Sequence, residues 1–168
     1  MGQIIKWKET GDFDGRTFTW SHYVLAGDPQ NERADAKGNI KGDIFGCPDG
    51  IWFDSRGVLW IQTDAHASVM YKGEFARLGS NVMLASDPAT GETRRFLVGP
   101  PNCEVTGVMC TPDMRTMFVN IQHPGETASD RSNPDNPSRY SCWPGRPGDR
   151  PRSATVVIRR EDGGLIGT

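Results

Sequence analysis

Long apolar runs are missing from this sequence. No stretch of its 168 residues approaches the roughly 20 apolar residues that a membrane span needs. Neither sign of charge dominates: Lys and Arg number 19 against 21 Asp and Glu, a formal net charge of −2. Nucleic acid is therefore a poor partner, because phosphate backbones are held by concentrated cations. One locally basic string, from Arg146 to Arg152, is short and broken by prolines, and it reads as solvated surface before it reads as an anion site. Catalytic signatures are also missing: there is no GxSxG, no HExxH, no Walker loop and no GxGxxG after a strand. Serine-hydrolase and nucleotide-binding readings thus lack support. The four cysteines, Cys47, Cys103, Cys110 and Cys142, form no CxxC pair and no zinc-ligand spacing. They read as buried residues or free thiols; an exported chain could join two of them, but spacing does not choose the pair. The start, Met1-Gly2-Gln3-Ile4-Ile5-Lys6, carries no signal-peptide apolar region. Taken literally that leaves the chain in the cytoplasm; taken as part of a longer protein, it says nothing about export.

What is present is punctuation. Hydrophobic residues make up 36%, enough for a core, and 20 Gly and 12 Pro are spread between short apolar runs. Residues 1–168 fit a single region of about one domain. Ile51-Trp52-Phe53 and Val58-Leu59-Trp60-Ile61-Gln62 flank the turn Ser55-Arg56-Gly57, which predicts a hairpin. Gly107-Val108-Met109-Cys110 and Thr116-Met117-Phe118-Val119 flank Pro112-Asp113, a second hairpin of the same kind, with Gly50 matching Gly107. Between them, Val82-Met83-Leu84-Ala85 and Thr93-Arg94-Arg95-Phe96 flank Asp87-Pro88-Ala89-Thr90-Gly91, where Pro presets φ and Gly supplies the left-handed residue. The tail echoes this unit, with Ala154-Thr155-Val156-Val157-Ile158, a Gly163-Gly164 turn and Leu165-Ile166. The N-terminal Gln3–Lys8 and Phe18–Val24 read as a further copy with a longer turn.

Two kinds of hairpin thus alternate, and a pair makes a four-stranded sheet repeating at roughly 50–60 residues, the pattern of propeller blades. The expected fold is all-β, a partial β-propeller of about two to three four-stranded antiparallel blades; a β-sandwich or an open sheet of hairpins is the alternative. Long loops at 65–80 and 124–152 join second strands to third strands.

In a propeller the first strand of each blade lies nearest the axis, and antiparallel pairing returns the end of the second strand to the same rim. The entry residues are Cys47-Pro48-Asp49 and Asn102-Cys103-Glu104; the exits are Asp64-Ala65-His66 and Gln122-His123. Asp49 and Glu104 sit at equivalent points of adjacent repeats, and hard cations such as Ca²⁺ take oxygen ligands of this kind. Asp49 lies in Pro-Asp-Gly, however, also a common turn tripeptide. Glu104 opens an apolar strand, where an acid is expensive unless paired or metal-bound. Asp64 reads either as a strand terminator bonding backbone amides or as part of the rim. His66 and His123 read as loop residues, each without a second His at ligand spacing. Asp54 and Asp113 fall at the opposite end, as turn residues. The residues themselves assign no catalytic nucleophile or acid–base pair.

The run from Cys47 to Asp64 resembles the PhoX-type calcium-dependent alkaline phosphatases. So do Phe96-Leu97-Val98-Gly99-Pro100-Pro101-Asn102-Cys103-Glu104-Val105-Thr106-Gly107, the block from Asp113 through Asn120-Ile121-Gln122-His123-Pro124-Gly125-Glu126, and the ending from Pro151 to Gly164. The resemblance covers nearly the whole chain and points to the family's C-terminal portion. It implies a six-bladed propeller, export by the twin-arginine route, and hydrolysis of phosphomonoesters with iron (Fe³⁺) and Ca²⁺ clustered in the funnel. By resemblance Glu104 is an acidic metal ligand, and Asp49 is a second ligand or lies near the site. Full members are several times longer, and their N-terminal blades carry a share of the ligands, including a cysteine that neither Cys47 nor Cys103 replaces. The expectation is a fragment or truncated relative with weak turnover alone, or a homodimer closing two partial rings. The other readings are a non-catalytic propeller module that binds a partner, and a calcium-dependent lactonase-like propeller enzyme.

Overall fold

The computed structural model describes residues 1–127, 129 and 133–167, so part of the 124–152 loop lies outside the described residues. Ten strands account for the regular structure: β1 (Gln3–Glu9), β2 (Phe18–Leu25), β3 (Lys41–Gly42), β4 (Pro48–Phe53), β5 (Leu59–Thr63), β6 (Val82–Ser86), β7 (Glu92–Val98), β8 (Glu104–Cys110), β9 (Met117–Gln122) and β10 (Ala154–Ile158). Among the described residues there is no α-helix, only single 3-10 turns at Ala34–Ala36 and Gly73–Phe75. The protein is all-β, in three sheets, none of which closes on itself. β1 and β2 form the first sheet, β4-β5-β6-β7 an antiparallel meander in the middle, and β8-β9-β10 the third. Short β3 joins the middle sheet by parallel pairing with β7, an addition that two polar residues gave no reason to expect.

The sheets stack because the middle one is apolar on both faces. All five residues of β5 are buried. Leu59 and Ile61 point to one side, where they pack with Val82 and Leu84 of β6 and with Ile4 and Val24 of the first sheet. Trp60 points to the other, where it packs with Met83 and with Val105, Met117, Val119 and Ile121 of the third sheet. This follows the period-two geometry of a strand: alternate residues serve alternate layers, and a strand covered twice is continuously hydrophobic. Phe96 meets the Trp60 ring edge-on, centroids 5.0 Å apart.

The predicted hairpins form, with two differences. The tail does not return as a strand after β10. Instead Ile166 is inserted into the core and its backbone N–H donates to the Met114 carbonyl in the β8–β9 turn, 2.9 Å. Backbone pairing gives way here because one large apolar side chain closes the end of the Trp60 cluster. Pro48-Asp49-Gly50 is the second difference: it is not a turn but the start of β4, with its pairing to β5 interrupted between Pro48 and Ile51. An irregularity of the same kind falls between Thr106 and Val108 in β8, at the matching Gly107.

At the turn end, Asp54 holds the β4–β5 hairpin together. Its side chain is fully buried. Oδ1 accepts from the backbone N–H groups of Arg56 and Val58 at 2.8 and 3.1 Å; Oδ2 accepts from the Trp60 indole at 3.1 Å and from the Arg56 guanidinium at 2.7 Å. The same guanidinium donates to the Ile166 carbonyl, 2.7 Å. One network therefore ties the β4–β5 turn, the tail and, through Met114, the β8–β9 turn. Burial pushes the Asp54 carboxyl up, but the Arg56 guanidinium, the Trp60 indole and the two backbone amides outweigh it and leave it below the usual carboxylate range.

All four cysteines are free thiols. Cys103 is buried, and burial, reinforced by the charges of Glu104 and Asp64, pushes its thiol up to about 12.

Asp54→Ala should destabilise the fold by about 2–3 kcal/mol in urea unfolding, because the buried indole and amide donors lose their acceptor. The acid limb should carry the same signature. A depressed native carboxyl contributes stability in full above its unfolded value near pH ~3.9, and loses it as pH falls through the native value. Asp54→Asn should accordingly show a shallower loss of stability on acidification than the parent. With an alkylating reagent at pH ~8, where the thiolate is the reacting species, Cys103 should be the last cysteine labelled and should react only on unfolding, as read by peptide mass.

Candidate functional site

The ends of the strands opposite the Asp54 turn carry the candidate acids Asp49, Asp64 and Glu104. Antiparallel pairing brings Glu104, the first residue of β8, opposite Gln122, the last of β9. Gln122 Nε2 donates to Glu104 Oε1 at 3.3 Å, and His123 Nε2 lies 3.3 Å from Glu104 Oε2. The Glu104 side chain is only 13% exposed. On its far side the His123 ring approaches Glu126, Nδ1 to Oε2 at 3.4 Å. A neutral imidazole carries one N–H and can donate to only one of these two carboxylates at a time. Both contacts to Glu104 are long, so this carboxylate is partly shielded from water without being saturated by donors.

The backbone here is unusual. Cys47 (φ 50°) is left-handed immediately before β4, Asn102 (φ 53°) two residues before β8, and His123 (φ 33°) just beyond β9. Such conformations are uncommon outside glycine and persist where surrounding bonds enforce them. The bonds are present: Asp64 N–H donates to the Cys47 carbonyl at 3.0 Å, Glu126 N–H to the Asn102 carbonyl at 3.1 Å and Gly125 N–H to the Pro101 carbonyl at 3.0 Å. Strand exits are thus fastened to strand entries in both repeats.

Behind the rim the two repeats also share a device. A methyl on Gly50 would come within 2.5 Å of Gln62 Oε1, and one on Gly107 within 2.8 Å of Asn120 Nδ2. Each interrupted first strand therefore admits a carboxamide from the second strand. Asn120 accepts from Thr155 at 2.6 Å. Gln62 is buried, and its Nε2 has no partner among the described residues. An unmet buried donor of this kind costs about 1–3 kcal/mol. Sequence reasoning placed Gln122 and His123 at the strand exit but missed Glu126 and the carboxamides of Gln62 and Asn120; only the match of Gly50 to Gly107 hinted at the latter two.

The other acids are dispersed. Asp49 is exposed in the interrupted start of β4. Asp64 is exposed just past β5, close enough to Cys47 and Cys103 that its charge helps hold both thiols up, after burial, the larger cause. Its backbone N–H, rather than its carboxylate, ends the strand. His66 turns away to Ser68, Nδ1 to Oγ 2.7 Å. Among the described residues no three His, Cys, Asp or Glu side chains are grouped as a metal site. Ca²⁺ takes 6–8 oxygen ligands, and isolated carboxylates do not supply them. The residues described therefore do not by themselves fit the cluster of Ca²⁺ and Fe³⁺ that the resemblance implies, and no catalytic step is assigned to them.

Comparison with known proteins returns to the same family by independent routes. The family model described as alkaline phosphatase PhoX matches residues 1–125. A solved structure, Pseudomonas fluorescens PhoX in complex with vanadate, a transition state analogue, aligns with a TM-score of 0.80 and 43% sequence identity. The alignment covers 99% of this chain and 27% of that one, so the chain spans about a quarter of its neighbour's length. No curated protein matches. With the family model covering most of its length, and the motifs around Asp49 and Glu104 lying inside the match, the chain belongs to the PhoX alkaline phosphatase family.

Proposed function

We propose that this chain is the C-terminal portion of a phosphoric monoester hydrolase, and that it furnishes one side of the catalytic funnel without completing it. The observation that carries the reading is the 43% identity, sustained over 99% of the chain, to a phosphatase-family structure holding a transition-state analogue. On this reading β4 to β7 are one blade, β8 to β10 most of the next and β1–β2 the outer half of an earlier one, in a propeller of six. Glu104 is a ligand of the Ca²⁺ and Fe³⁺ cluster: it is a mostly buried carboxylate at a strand entry, held by two long contacts that a metal can displace. Asp49, at the entry of the preceding repeat but one residue before Gly50 where Glu104 is three before Gly107, is the second ligand or lies near the site. The remaining ligands come from outside this chain, either from the N-terminal blades of a longer polypeptide or from a second copy closing the ring. No helix among the described residues is long and apolar enough to cross a membrane. Export by the twin-arginine route belongs, on this reading, to the longer polypeptide.

The test is hydrolysis of p-nitrophenyl phosphate at alkaline pH with added Ca²⁺ and iron. The chain alone should turn over little. Co-expression with the N-terminal portion of the Pseudomonas fluorescens neighbour should produce activity that Glu104→Ala lowers by about 100-fold, a loss in the range for disrupted metal sites. An active complex indifferent to Glu104→Ala would remove Glu104 from the site. A combined sample with no activity would sink the phosphatase reading for this chain.

A further inference from the structure

The long segment between β9 and β10 walls an open cavity of about 430 Å³, whose lining includes His123, Glu126, Arg139, Tyr140, Arg150 and Ser153. The walls are fastened to one another. His123 N–H donates to Ser153 Oγ at 3.1 Å, which ties the exit of β9 to the entry of β10. Gly125 is left-handed (φ 81°), and a methyl there would come within 3.1 Å of the Ser141 backbone nitrogen, so Tyr140 and Ser141 lie directly on it. Arg152 N–H donates to the Trp143 carbonyl at 3.0 Å and holds the end of the segment against its middle. The Arg139 guanidinium sits 4.9 Å from the centroid of the Tyr140 ring, a cation–π contact.

Charge in this cavity is uneven. Arg139 and Arg150 line it against one carboxylate, Glu126, which already faces His123 Nδ1 at 3.4 Å. Of the three arginines in the string Arg146 to Arg152, only Arg150 lines the cavity. Its side chain has no ion pair or hydrogen bond among the described residues. The adjacent Asp149 accepts instead from the Arg146 backbone N–H, 2.8 Å. A planar guanidinium offers two parallel N–H donors, the geometry that suits a phosphate. His123 connects this cavity to the candidate metal site: Nε2 faces Glu104 Oε2, while the residue also lines the cavity. The cavity thus lies where the leaving group of a monoester would extend from a phosphoryl group held at Glu104. We propose that the cavity receives that leaving group, and that Arg139 and Arg150 select substrates whose leaving group carries a second phosphate, as in a polyol or sugar bisphosphate. The inference rests on the phosphatase reading and names its substrate class.

The cavity is lined by residues of this chain, so its occupancy can be read without metal or turnover. The probe is glycerol phosphate, the leaving group of glycerol bisphosphate, titrated into the chain in the presence of a chelator. Calorimetry and the arginine Nε–H signals in nuclear magnetic resonance report binding, with glycerol as the neutral control. Glycerol phosphate should bind at least ~10-fold more tightly than glycerol and shift the Arg139 and Arg150 signals. Arg150→Gln should weaken it about 10-fold, the loss of one charge-assisted contact. Arg146→Gln, outside the cavity, should leave it unchanged. Both arginines are exposed, so the variants should fold, as melting would verify. Equal binding of the two probes, or binding indifferent to Arg150→Gln, would overturn the proposal. A second arm uses the complex with the N-terminal portion of the Pseudomonas fluorescens neighbour. There glycerol bisphosphate should show a lower KM than glycerol phosphate, and Arg150→Gln should abolish the difference while leaving kcat for glycerol phosphate in place. An active complex without that preference would overturn the leaving-group assignment and leave the phosphatase reading standing. A complex that hydrolyses no ester would do the reverse: the functional reading would fail, while Arg150-dependent binding would still establish the cavity as a site for a phosphorylated polyol.

Discussion

A strand with apolar side chains on both faces is stable only between two other layers, and β5 is such a strand. Leu59 and Ile61 demand cover from one side, Trp60 from the other. This constraint explains why the chain makes three stacked sheets instead of one extended one. It also explains why the outer layers can be incomplete. They need to cover β5 and β6, and two strands on one side suffice for that. The cost falls on β4, which is covered on one face and bare on the other.

The acids show how one functional group acquires different roles from local geometry. Asp54 is saturated by five N–H donors from Arg56, Val58 and Trp60 and has no lone pair to spare. Asp87 is used in the same way at its own turn, accepting from the Ala89 amide and the Thr90 hydroxyl. Asp49 and Asp64 keep their hydration. Glu104 is intermediate, withdrawn from water yet held only by two contacts of 3.3 Å. Carboxylates that hold the fold thus lie at the turn end, and those left with coordinating capacity lie, dispersed, at the opposite end. A substitution at one end leaves the other's bonds in place.

The hairpins were legible because each rests on local chemistry: a short apolar run, a turn with Gly or Asp-Pro, and another run. The equivalence of Gly50 and Gly107 was legible for the same reason, though its cause is a carboxamide from the neighbouring strand. Asp49 was placed at a strand entry, where it lies, but its local shape was left open because Pro-Asp-Gly is equally at home in a turn and in an interrupted strand. What escaped were contacts between residues far apart in sequence. Nothing near Ile166 announces that its carbonyl will meet Arg56; Gln122 was placed at the same end as Glu104, but their direct pairing waits on the register of β8 on β9. The family motifs mark the strand entry at Glu104, but which donors face it depends on the pairing of β8 with β9.

The tail contact also has a kinetic side. Arg56 and Ile166 are 110 residues apart. Closing a loop of that size costs entropy before the contact returns anything, and non-local closures of this kind slow folding. The meander from β4 to β7 is assembled from neighbours in sequence and can form without the tail. The seal over Trp60 cannot, so an interval is built into folding in which the hairpins exist while the end of their core stands open. During that interval the protein is most exposed to proteolysis and misassociation.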